Sequence, residues 1–272
     1  MASDLPADFK KTAQKHISNI AVYCGSRSGA HPIFEQEART LGSVLAKNQY
    51  KLTYGSGGAG LMGAVAESAA RAGGEVAGIN VPIFAEQGQC PDGVVEHASH
   101  MTMFQRKAEL IEMTQASIAL TGGIETFDEI GDSIVDNDIK KHRNRDELIK
   151  PTLLINTQIQ GAGGYYDELD AWIKKSLKFK FANANAGSLY TLVPSAEHAV
   201  LMLDLLNKQG PVTAGEAQDL QMKHVLKPEF LKIYKEKIGL IPVPCGTLDG
   251  GVEFLQFGGA SKNSVKPERL IH

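Results

Sequence analysis

From Ile17 to Lys208, short apolar runs that break at glycine or a polar turn alternate with amphipathic stretches. Ile20-Ala21-Val22-Tyr23 is the first run. Pro32 to Lys47 follows, with Phe34, Ala38, Leu41 and Leu45 spaced by three or four, the period of a helix with one apolar face. Lys51–Tyr54 predicts a second strand and about Leu61–Ala72 a helix. Glu75–Val81 and, with a weaker pattern, Val94–Ala98 predict two more strands before a helix over Thr102–Gln115. Ser117–Leu120 is a fifth strand feeding a helix to about His142. Pro151–Asn156, a helix over Tyr165–Leu177 with the single Trp172, a strand near Leu189–Val193 and a helix over Ser195–Lys208 complete the series. Strands this short and apolar need cover on both faces, and helices between them act as crossovers. The expected fold is α/β, a doubly wound parallel sheet with helices on both faces.

The 272 residues suffice for one large domain with a core of its own, or a domain plus an appendage. We expect an N-terminal arm over 1–16, the α/β domain over 17–209 and an appendage over 210–272, where composition shifts toward Gly, Pro and Lys and only about Pro228–Lys237 looks regular. Lys and Arg total 28 against 31 Asp and Glu, a net charge of −3, unlike the strongly basic balance of domains held on nucleic acid by their overall field. No run approaches the ~18 apolar residues of a membrane span. The polar N-terminus, MASDLPADFKKTAQKH, lacks the apolar centre of a secretory signal. Cys24, Cys90 and Cys245 are odd in number and far apart, so a disulfide framework is not expected and a reducing, cytoplasmic setting is.

Ligands of open parallel sheets bind beyond the carboxyl ends of the strands. Three glycine-bearing turns fall there: Cys24-Gly25-Ser26-Arg27-Ser28-Gly29, Gly55-Ser56-Gly57-Gly58-Ala59-Gly60-Leu61-Met62-Gly63 and Thr121-Gly122-Gly123-Ile124-Glu125-Thr126. Glycine lets backbone approach a phosphate, and the following helix start offers free N–H donors. Any one such turn is explained by tight strand-to-helix geometry alone; three on one sheet edge point to a nucleotide site. No Gly-Lys-Ser/Thr follows, so none is a Walker loop, and no acidic residue ends the next strand as a dinucleotide fingerprint requires.

Arg106 and Lys107 lie in the helix leading to the third turn. Arg106 is placed to reach a phosphate or ribose, whereas Lys107 also reads as part of a solvated helix face. Glu129 has two readings as well. Thr126-Phe127-Asp128-Glu129 has the T-x-x-E form of a capping box, in which Glu129 only folds back on the helix start; otherwise it is a candidate acid or base. Cys90, His97 and His100 fit no strong metal-ligand spacing, and no metal site is expected. Lys140-Lys141-His142-Arg143 reads as a solvated helix end. No Gly-x-Ser-x-Gly elbow is present.

Cys24-Gly25-Ser26, Tyr54 to Gly63, Arg106-Lys107 and Thr121-Gly122-Gly123-x-x-Thr126-x-x-Glu129, in that order, resemble the LOG ("Lonely Guy") family from about Ile17 to Lys208. Its members are cytokinin riboside 5′-monophosphate phosphoribohydrolases, often labelled lysine decarboxylases in error. The resemblance implies a Rossmann-like homodimer or higher homo-oligomer without cofactor. Such an enzyme cleaves the N-glycosidic bond of a nucleoside 5′-monophosphate, AMP or a cytokinin nucleotide, to base and ribose 5-phosphate. It casts Arg106 and Glu129 as catalytic, and Ser26, Gly57, Gly58, Gly60, Lys107, Gly122, Gly123, Glu125 and Thr126 as the substrate- and phosphate-binding set. No nucleic-acid or membrane partner is expected. The chain departs from the family pattern at Thr121 (proline), Glu125 (glycine) and, mildly, Ser56 (glycine). A positive φ at Glu125 would cost on the order of 1 kcal/mol, and its carboxylate would sit beside the phosphate. The altered loop keeps a second reading open, a non-catalytic nucleotide or pterin-cofactor carrier on the same fold, against which stands the retention of Arg106 and Glu129. A pyridoxal-dependent decarboxylase lacks any recognisable lysine context.

Overall fold

A computed structural model describes residues 15–81, 91–98, 102–182, 189–219, 226, 228–237, 243–244 and 255–256. The elements run β1 (Asn19–Tyr23), α1 (Pro32–Lys47), β2 (Lys51–Tyr54), α2 (Gly60–Arg71), β3 (Val76–Asn80), β4 (Val94–Ala98), α3 (Met103–Met113), β5 (Ala116–Ala119) and α4 (Ile124–Arg143). They continue with β6 (Thr152–Ile155), a short hairpin of β7 (Gln158–Ile159) and β8 (Gly163–Gly164), α5 (Asp167–Lys178), β9 (Thr191–Val193), α6 (Ala196–Gln209), α7 (Ala214–Asp219), α8 (Pro228–Lys237) and a second small pair, β10 (Val243–Pro244) with β11 (Leu255–Gln256).

Seven strands form one parallel sheet in the order β4-β3-β2-β1-β5-β6-β9. The chain moves outward from β1 through β4, then crosses back to lay β5 on the other side of β1. Ile20 therefore pairs with Leu52 on one side and Ala116 on the other. Alternate residues of β1 feed two cores. Ile20 and Val22 face the apolar sides of α1, α2 and α6, while Ala21 and Tyr23 face Leu110 of α3, Ile130 of α4 and Leu169 and Ile173 of α5. The doubly wound α/β architecture expected from the strand–helix rhythm is the one observed.

Local chemistry explains the boundaries. Pro32 opens α1, where a missing N–H costs nothing. Thr102 and Gln105 form a reciprocal capping box at the start of α3. Ala196, the first residue of α6, donates its N–H to the Glu37 carboxylate of α1 at 2.5 Å. Gly42 lets α1 and α2 meet backbone to backbone, because a Cβ there would lie 2.2 Å from the Val65 carbonyl oxygen.

Beyond Gly210 the structure adds α7, which the sequence pattern does not announce. It is pinned by main-chain bonds from Ala214 to Glu147 and from Gly215 to Arg145, both 2.8 Å. The helix over Pro228–Lys237 is present, and its Tyr234 is fully buried in the first core beside α6. Lys140, expected at a solvated end, is instead buried and paired with Asp136 at 2.6 Å. Residues 1–14 of the arm, Cys90, His100 and Cys245 lie outside the described residues, and so does the side chain of His97. None of the described helices is long and apolar enough to cross a membrane.

Candidate active site

Strand order reverses between β1 and β5, where a doubly wound sheet opens its crevice. The first and third glycine turns meet there. Gly25 donates its N–H to the Thr121 carbonyl at 3.1 Å and accepts from Leu61 at 3.2 Å. A cleft of about 220 Å³ opens above them, lined by residues of all the turns and of α3 and α4, among them Ser26, Gly57, Gly58, Arg106, Lys107, Glu125 and Glu129.

Gly60, Gly122, Gly123 and Thr126, expected in the binding set, do not line this cleft but shape it from behind. Gly60 has φ +57, and a Cβ on it would lie 2.4 Å from the Ser26 carbonyl; only glycine lets α2 begin against the first turn. Gly122 leaves room for the buried Thr126, whose Oγ1 would be 2.1 Å from any Cβ there. Gly123 is the N-cap of α4. Tyr165 donates its phenol to the Gly122 carbonyl and Tyr166 to that of Leu120, so the third turn is held from below by two side chains.

Arg106 is buried against main chain. Its Nε donates to the Ile79 carbonyl and its Nη2 to the Gly55 carbonyl, each at 3.1 Å. Two carbonyls fix the plane of the guanidinium and leave N–H groups for a ligand. Lys107, rather than lying on a solvated face, is buried and spans from α3 to α4, 2.6 Å from Asp128 and 2.7 Å from Asp132.

The capping-box reading of Glu129 fails on geometry. α4 begins three residues earlier than that reading needs, with Gly123 as N-cap and Thr126 already inside the helix. Glu129 therefore sits in the second turn, aimed into the cleft. Burial lifts its carboxyl to about 7; the Arg106 charge opposes that rise, and Glu125, Asp128 and their like charge add to it. A carboxyl poised near neutrality can both release and accept a proton at working pH.

Glu125 has no positive φ and so carries none of the backbone strain that such a φ would have cost. It lies exposed in the first turn of α4, where an acidic side chain suits the helix dipole, and it borders the cleft. The strained residue is Ser56, buried with φ 64 and packed against Gly78. Replacing glycine there is the costlier departure, since the left-handed region disfavours any Cβ.

Met62, Met103, Asn80 and Asp128 also line the cleft and were not singled out from sequence. Asn80 had a legible signal, a polar residue ending an apolar parallel strand. Cys24 is buried at the end of β1, and burial pushes its thiol far up, the opposite of an activated nucleophile.

A family model described as "Possible lysine decarboxylase" matches residues 62–203. Among similar curated proteins, cytokinin riboside 5′-monophosphate phosphoribohydrolase LOG7 of Arabidopsis thaliana is 30% identical over 70% of this chain and 83% of its own. LOG2 of the same plant, bearing the same enzyme name, is 31% identical over 70% of this chain and 84% of its own. Two solved structures share the fold: a molybdenum cofactor binding protein from Rippkaea orientalis (TM-score 0.51, 18% identity, 69% of this chain and 95% of that one) and the molybdenum cofactor carrier protein of Chlamydomonas reinhardtii (TM-score 0.50, 18% identity, 69% and 98%). At that identity the likeness is one of architecture only. With the matched family model and relatives of this coverage, the chain belongs to the LOG family.

Proposed function

We propose that the protein hydrolyses the N-glycosidic bond of a nucleoside 5′-monophosphate, releasing the free base and ribose 5-phosphate. The observation that carries the reading is the half-buried Glu129 carboxyl, raised to about 7 by desolvation inside a glycine-walled cleft that also contains Arg106. Loops at helix starts suit a phosphate, and the α2 turn supplies Gly57 and Gly58 to that wall. Membership of a family whose relatives bear a phosphoribohydrolase name supports the same assignment.

In this mechanism the bond from C1′ to the base nitrogen breaks, its electron pair leaves with the base, and positive charge develops on the ribose. Glu129 as carboxylate stabilises that charge and takes a proton from the attacking water, whose oxygen bonds to C1′. The proton then passes to the departing base. Arg106, fixed by Ile79 and Gly55, holds phosphate or ribose. Ser26, Gly57 and Gly58, which line the cleft, orient the phosphate end, while Gly122, Gly123 and Thr126 hold the third turn in shape behind it. Chromatography of the products from AMP and from its N6-isopentenyl analogue tests the reading; appearance of free base supports it, and recovery of intact nucleotide with measurable binding would replace it with a carrier role.

The same reading includes a homodimer. On α4 the exposed Ile124, Phe127, Val135 and Ile139, with Phe104 of α3 nearby in sequence to Arg106, give apolar side chains free for a second copy; Ile124 is 83% and Phe104 79% exposed. Light scattering at working concentration should return twice the chain mass.

A further inference from the structure

A second surface has a different composition. The stretch Ala171 to Ala182, from the middle of α5 to just past its end, contains Lys174, Lys175, Lys178 and Lys180 and no acidic residue. Its inner side is committed to the fold. Ile173 packs in the second core, and Lys174 pairs at 2.6 Å with Asp170, which also accepts from the Tyr190 hydroxyl at 2.7 Å. Its outer side is not. Trp172, Lys175 and Phe179 recur at helical spacing on one exposed stripe, with Lys178 beside them and Lys180 and Phe181 immediately beyond. Trp172 is 61%, Phe179 60% and Phe181 88% exposed.

Lysines near a helix C-terminus are explained by the dipole alone, but three large exposed aromatic rings among them are not. The mixture narrows the partner. An isologous contact with a second copy would set Lys175, Lys178 and Lys180 against their own counterparts, with Glu168 the one exposed acid on that face of the helix, and lysine is depleted from protein interfaces. Single-stranded nucleic acid calls for a basic groove that tracks its backbone, whereas these residues lie on a convex helix. Amphipathic aromatic rings flanked by lysines on a surface helix suit the headgroup layer of an anionic bilayer, with rings inserted and ammonium groups against lipid phosphates and carboxylates.

We infer that the outer stripe of α5, Trp172, Lys175, Lys178, Phe179, Lys180 and Phe181, is a docking surface for anionic phospholipid membranes. Binding is peripheral and independent of the reaction assigned to the cleft.

Co-sedimentation of the full chain with vesicles of phosphatidylcholine alone and of phosphatidylcholine mixed with phosphatidylserine tests this. The protein should pellet only with the mixed vesicles and be released by raised salt. Each lysine near an anionic surface is worth a factor of about five, so replacing Lys175, Lys178 and Lys180 together by Gln should weaken partitioning on the order of 100-fold. Trp172→Ala with Phe181→Ala should weaken it at unchanged charge, and melting curves of both variants should match the parent because neither touches the core. Absence of binding to mixed vesicles at low salt overturns the inference. So does binding that the variants leave intact, retention on a single-stranded homopolymer in place of vesicles, or loss of a self-associated species in the aromatic variant without any vesicle binding.

Discussion

Tyr166 donates a hydrogen bond from its phenolic O–H to the main-chain carbonyl of Leu120, 46 residues away in sequence, and so ties the start of α5 to the end of β5. Tyr165 does the same for Gly122 one step further along the turn. Both rings stack edge to face at 5.2 Å, and Tyr165 also meets Phe34 of α1 at 5.8 Å. Tyr166→Phe should cost about 1–3 kcal/mol by leaving a buried carbonyl unpaired, measured by chemical denaturation. Tyr165→Phe, at a half-buried site, should cost less stability but loosen the turn beneath a bound phosphate, weakening AMP binding several-fold by calorimetry.

Glu129 links reactivity to stability with a definite sign. Its carboxyl rises from an ordinary 4.5 to about 7 in the fold. Below the ordinary value it is neutral in both folded and unfolded chains. Between the two values the unfolded chain sheds the proton first, so stability falls as pH rises through that window. Glu129→Gln should therefore leave the melting temperature unchanged at acid pH yet stabilise the protein at pH above 7 by about 3 kcal/mol. Turnover of AMP should drop by roughly 100-fold or more. Stability that falls at every pH, with turnover retained, would mark a structural carboxyl.

Lys107 acts on the same carboxyl from a distance. Its charge lowers the Glu129 value while its ammonium joins Asp128 and Asp132. Lys107→Met keeps the aliphatic packing and removes the charge, leaving two unpaired acids beside Glu129. The ascending limb of the pH–rate profile should then move to higher pH, and stability should fall by about 1–2 kcal/mol, since the lysine is buried although both acids are half exposed. A shift to lower pH would contradict the assigned role.

Glu125 borders the cleft without backbone strain. Helical backbone there means that Glu125→Gln and Glu125→Gly should improve AMP affinity equally, about fivefold for roughly 1 kcal/mol of relieved charge repulsion in a wet cleft. Only the glycine variant should also lose about 0.5–1 kcal/mol of stability, from its backbone entropy in a helix. Equal titration curves for parent and variants would place the carboxylate outside the reach of the phosphate.

Strand and helix limits were readable almost to the residue where apolar period and breakers agree, as at Pro32–Lys47 and Lys51–Tyr54. α7 was not, because six residues cannot display a helical period. The glycine turns were legible as a set, and family resemblance pointed to Arg106 and Glu129 before any geometry. What misled was local. Thr126-x-x-Glu129 has the letters of a cap, yet the helix begins at Ile124 with Gly123 as its N-cap, and Thr126 sits inside it, packed against Gly122. Glu125 and Ser56 exchanged roles for a similar reason: which replaced glycine holds a positive φ is decided by how the turns dock, not by neighbours in sequence. Lys140 was read as solvated, and Lys107 as either solvated or part of the binding set, because the faces of their partners become visible only once α3 and α4 are folded and packed.

The two walls of the cleft come from opposite halves of the sheet, with Ser26 and the α2 turn on one side of the β1–β5 seam and Glu125 and Glu129 on the other. That seam is a non-local pairing, Ile20 with Ala116, closed only after the whole β2–β4 excursion has been made. Contacts of such long sequence separation form late and slowly. Capture of a nucleotide thus has nothing to hold in a half-assembled chain, and during refolding the recovery of binding should keep time with closure of this central seam rather than with the earlier growth of helices.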